Sequence, residues 1–189
     1  MALGLWSMTA YGVADDDDDD KKANKEAQES VVKLIEEMNG KKGNVKNQTK
    51  AMRKKFDEVK PIMWVYKPRK KGGLGIGKDG DDIEQTLNKV GNPKAKGWTA
   101  KKRLDMRRDL AKAAELSRAI AEVTDLYADH YKDTNTGKPN PAKWKEFNEK
   151  MRQAADELSK ASKGDDAVKI QKASANLYSS CSDCHGVFR

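Results

Sequence analysis

Apolar residues recur along most of this chain at spacings of three and four, the period of one face of an α-helix. Val31, Leu34, Ile35 and Met38 form one such stripe, closed by the helix-stop pair Asn39-Gly40. A second stretch, residues 44–59, carries Val45, Met52, Phe56 and Val59 before Pro61 ends it. Residues 61–80 break the pattern with a bulky cluster (Ile62, Met63, Trp64, Val65, Tyr66) and a loop holding Gly72, Gly73, Gly75, Gly77 and Gly80. A short helix is predicted over 82–90. Thr99 then reads as the N-cap of a long helix reaching residue 131, with Met106, Leu110, Ala113, Ser117, Ile120, Val123 and Tyr127 inward. Another helix spans 141–162 through Trp144, Phe147, Met151, Ala154, Leu158 and Ala161, and the corner Gly164-Asp165 follows. The last helix aligns Ile170, Ala173, Leu177, Cys181, Cys184 and Phe188 on one stripe. Long amphipathic helices joined by short turns bury their stripes best side by side. The predicted fold is therefore all-α: an antiparallel four-helix bundle, its first helix broken near residues 40–43. An irregular glycine-rich insertion falls between the first and second bundle helices.

Composition narrows this picture. Of 189 residues, 37% are hydrophobic and 36% charged, which suits a narrow apolar stripe on each helix. No run approaches the ~20 apolar residues that cross a bilayer, and no continuous Val/Ile/Leu runs suggest a buried parallel sheet. The net charge of +8 comes from 38 Lys and Arg against 30 Asp and Glu. Basic clusters alternate with acidic residues and lack interleaved aromatics, so they read as solvated helix faces and no nucleic-acid partner is expected. Residues 2–14 are apolar or small, with Gly12 and Ala14 at the small positions of a secretory cleavage site. They look like a signal peptide without its charged front, and the acidic run 15–20 that follows reads as a disordered linker. The folded domain is expected over residues 23–189.

The chemistry lies at the end of the chain. Cys181-Ser182-Asp183-Cys184-His185 is C-x-x-C-H, the pattern for covalent attachment of c-type haem. Positions i, i+3 and i+4 share a helix face, so both thiols and the imidazole address one object. Each thiol can form a thioether with a haem vinyl group while His185 ligates the iron. The motif takes both cysteines of the chain and one of its two histidines. A redox dithiol lacks its strand–helix context here, a zinc site would have only His130 to add, and a plain disulfide explains no histidine. Gly75-x-Gly77-x-x-Gly80 follows no predicted strand, so dinucleotide binding is not expected. The basic stretch from Lys67 to Lys71 reads as a loop for an acidic partner or a haem propionate.

The segment from Trp144 to Arg189 resembles the last two helices of the cytochrome c′ family. It has Trp144 and Phe147 opening one helix, the Gly164-Asp165 corner, and Cys181-x-x-Cys184-His185-x-x-x-Arg189 closing the chain. The resemblance implies a four-helix bundle with one covalent haem c near the end of the last helix. It also implies an apolar side chain of the first helix over the distal face, where Ile35 and Met38 fall. Ile35 would leave the iron open to small ligands, whereas Met38 would ligate through sulfur; Met52 and Met63 are outside candidates, and each methionine taken singly reads first as core filler. Ile35 is the favoured choice. Arg189 reads either as a base beside the proximal imidazole or as a terminal surface residue, and His130 as a surface residue before a second ligand.

The expected function is that of a periplasmic or otherwise exported monohaem cytochrome, not an enzyme, since no nucleophile–base set or phosphate loop suggests turnover. It would carry single electrons or bind NO or CO. Its partners would be a redox protein or a diatomic gas, with homodimerisation left open. The rival reading is a basic helical docking module in which the motif is incidental.

Overall fold

A computed structural model describes residues 16–40, 43–131 and 141–188. Eight α-helices account for most of them: α1 (Asp16–Asn39), α2 (Val45–Lys55), α3 (Lys60–Met63), α4 (Ile83–Gly91), α5 (Ala100–Asp105), α6 (Arg107–Thr124), α7 (Pro141–Ser162) and α8 (Ala167–Phe188). Short 3-10 turns follow α3 at Trp64–Tyr66 and α6 at Asp125–Tyr131. Among the described residues the only extended pairing is an isolated bridge between Ile76 and Asp81. The all-α bundle expected from the periodicity is what forms.

Local chemistry accounts for the helix ends. Asp82 caps α4 by accepting the Gln85 N–H at 3.0 Å, and Thr99 caps α5 by accepting the Lys102 N–H at 3.3 Å. Asp166 accepts the N–H groups of Val168 and Lys169 at the start of α8. The helix expected over residues 99–131 is in fact three pieces. The chain turns at Met106, where the Arg107 guanidinium closes the break by donating to Leu104 O at 3.0 Å, and it tightens to 3-10 geometry after Thr124.

Residues 16–20 form the first turns of α1, and Asp20 pairs with Lys60 at 3.0 Å. Carboxylates at a helix N-terminus complement the unpaired N–H groups and the macrodipole there, so the run favours this end of a helix. The signal-like residues 2–14 lie outside the described residues.

The core is one continuous cluster, from Ala27, Val31 and Leu34 on α1 to Ile170, Ala173 and Leu177 on α8. The helices α6 and α7 make the most extensive contact, and Arg152 of α7 reaches both Glu122 and Asp125 across it. On the other side of α7 lies α8. Its second neighbour is the short helix α4, not α1, which packs instead on α2, α3 and α6. Gly91 sets the closeness of α4 and α8: a Cβ there would fall 2.7 Å from the backbone of Ala175. The glycine loop folds back on itself, Arg69 N–H donating to Gly80 O at 2.9 Å. Gly75, at φ +59°, lies against the Gly80 carbonyl and has no room for a side chain.

Candidate functional site

The inward stripe of α8 carries Ile170, Ala173, Leu177 and Cys181 into the core, each about one turn after the last. Continuing it brings Cys184 and His185 to the wall of a cavity of about 360 Å³ together with Cys181. The facing wall comes from α7 as Trp144, Phe147, Asn148 and Met151. The segment through α3 and its 3-10 turn adds Val59, Lys60, Met63, Trp64, Tyr66 and Lys67, and the start of α4 adds Asp82 and Glu84. Large apolar side chains thus dominate, with charge brought by Lys60, Lys67, Asp82 and Glu84.

The walls are held by hydrogen bonds that leave few polar atoms unanswered. Trp144 Nε1–H donates to Thr124 O at 2.7 Å, fixing the indole against α6. The Tyr66 hydroxyl donates to Ser117 Oγ at 3.0 Å, and Ser117 in turn donates to Ala113 O at 2.8 Å. Burial pushes the Tyr66 hydroxyl well above its ordinary pKa, so it is a neutral donor at any physiological pH.

Both thiols are free. Burial, with the Glu84 charge second, pushes Cys181 up to about 12, and burial pushes Cys184 up to about 11. Both thiols are therefore protonated at neutral pH. Among the described residues no group of three or more His, Cys, Asp or Glu side chains is arranged around a metal position. His185 Nδ1 is buried without a hydrogen-bond partner and lies 3.6 Å from Glu84 Oε1.

These features fit a haem. Two thiols a turn apart and one imidazole face a common space with flat aromatic and thioether walls. The volume falls in the range of ordinary ligand pockets, ~300 to 1,000 Å³.

Of the residues predicted for this site, Cys181, Cys184 and His185 come together, and Met63 joins them. Ile35 and Met38 are not among the residues lining this cavity. Ile35 lines a second cavity with Arg69, Leu74, Ile76 and Leu116, while Met38 and Met52 pack into the core. The reason is the helix arrangement: α4 and the segment through α3 line the cavity beside α8, while α1 packs on α2, α3 and α6. Lys67 of the basic loop lines the candidate cavity, and Arg69 lines the second one. Arg189 lies outside the described residues, as does the side chain of His130.

Sequence reasoning passed over Tyr66 and Glu84. An acidic residue in the first turn of a helix is indistinguishable by pattern from a complement to the helix dipole, and Tyr66 sits in a segment without periodicity.

A family model described as Cytochrome C' matches residues 82–189, more than half of the chain. The match begins at the N-cap of α4 and covers α4 to α8. No curated protein and no solved structure matches.

Proposed function

The chain belongs to the cytochrome c′ family of haem c-type cytochromes, and from that premise we propose that it is an exported, single-haem protein whose iron exchanges electrons one at a time and binds diatomic gases such as NO or CO. What supports the reading is a single observation: both thiols and the imidazole of the attachment motif line one cavity whose other walls are largely apolar. Two cysteines supply thioethers for one haem and no more. Cys181 and Cys184 would hold the ring, and His185 would ligate the iron through Nε2. When bound, the group would supply a one-electron couple and a metal that small ligands can bind. The protein's part is to exclude water with Trp144, Phe147 and Met151, and to keep Tyr66 engaged with Ser117. In this reading the chain turns over no organic substrate. Export follows from the chemistry, because thioether formation takes place outside the cytosol.

A second reading has its own observation. Met63 lines the same cavity, and its sulfur would close the sixth position and make the protein a dedicated electron carrier. The basic docking module predicts no bound colour at all.

One set of spectra decides among them. Protein made with a c-type maturation system should stay red after acid–acetone extraction, and Cys181→Ala with Cys184→Ala should release the colour. The ferrous protein should be high-spin and bind CO without losing a protein ligand. A sulfur-to-iron charge-transfer band in the ferric protein, abolished by Met63→Ala, would favour the electron carrier. A colourless wild-type polypeptide would overturn both.

A further inference from the structure

Beside the proposed iron ligand stands a carboxylate. Glu84 Oε1 lies 3.6 Å from His185 Nδ1, the side chains being 26% and 27% exposed, and that nitrogen is buried with no hydrogen-bond partner. The separation of 3.6 Å is an ion-pair distance, longer than a hydrogen bond. The juxtaposition does not hang on one rotamer. Gly91 lies two turns beyond Glu84, on nearly the same face of α4. It meets the Ala175 backbone, and Gln171 Nε2 donates to its carbonyl at 3.4 Å. These contacts fix α4 antiparallel to α8 in a register that brings its first turn to the last turn of α8.

We propose that Glu84 is the positioning residue of the axial histidine: its carboxylate accepts the Nδ1–H of His185, holds the tautomer whose Nε2 lone pair faces the iron, and makes the ring a stronger donor. The inference rests on the haem reading of His185. A negative charge at this place stabilises ferric over ferrous iron and so lowers the reduction potential. Asp82 lines the same cavity but is occupied as the N-cap of α4, which makes it the natural control.

The test uses the haem-loaded protein and two readouts, the reduction potential and the solvent-exchange rate of the hyperfine-shifted Nδ1 proton in the ferric state. Glu84→Ala, which removes charge and acceptor, should raise the potential and speed the exchange. Glu84→Gln, which keeps an acceptor without the charge, should raise the potential and leave exchange near the wild-type rate. Asp82→Asn should leave exchange unchanged and raise the potential less than either. The proposal is overturned if Glu84→Ala leaves both readouts at wild-type values. It is equally overturned if Glu84→Gln and Asp82→Asn raise the potential by the same amount while Glu84→Ala leaves exchange unaltered, since Glu84 would then act only as a distant charge. Wild-type protein that never acquires haem is a separate failure, that of the haem reading itself.

Discussion

At the scale of single residues, the two buried tyrosines show how burial sets chemistry. Tyr127 is sealed under α2, its hydroxyl donating to Phe56 O, with the Arg53 guanidinium 4.5 Å from the ring centroid. Burial pushes its pKa up to about 12, while the Arg53 charge pulls the other way. The folded chain therefore holds this proton more tightly than the unfolded chain. The resulting stability is fully present below pH ~10 and is lost as pH rises through about 12. Denaturant midpoints measured across that window should fall steadily in the wild type and less steeply in Tyr127→Phe. At neutral pH the same variant should be less stable by about 0.5 to 1.5 kcal/mol, the net worth of one hydrogen bond. An equal alkaline slope in both proteins would show that Tyr127 is not the group responsible.

At the scale of elements, the contact between α4 and α8 carries the site. The buried face of α4 is Ile83, Thr86, Leu87 and Val90, and Gly91 lets its end settle on Ala175. A methyl group at Gly91 has backbone atoms within 2.9 Å and no flexible side chain to displace. Gly91→Ala should therefore push the helices apart and destabilise the fold by about 1 to 3 kcal/mol, as overpacked cores do. Because Glu84 stands on the same helix, the variant should also alter the haem absorption spectrum. Gly97 has a φ of +77° and open space for 4 Å around an added methyl, so Gly97→Ala would test backbone strain alone. A Gly91→Ala protein with wild-type stability and spectrum would show that the close approach is not what sets the register.

At the scale of the whole molecule, the core runs unbroken from α1 to α8, although the family match starts only at α4. The helices upstream of the match should thus unfold with the site. Far-ultraviolet circular dichroism and haem absorbance should be lost in one coincident transition; loss of helix ahead of the haem signal would mark α1 to α3 as a separate unit. The same scale separates what was legible in the chain from what was not. The stripes of α6, α7 and α8, the Thr99 cap and the meeting of Cys181, Cys184 and His185 all follow from spacing, because a helix places i, i+3 and i+4 together whatever surrounds it. The helical start of α1 in an acidic run escaped a composition argument, since charge that disfavours burial still favours a helix N-terminus. What covers the thiols was decided by tertiary structure: a stripe says that a helix has a buried face, not which neighbour it is buried against. Ile35 has the expected spacing but lines a different cavity from Cys181, Cys184 and His185, while Glu84 comes near His185 because a glycine two turns away lets α4 lie on α8.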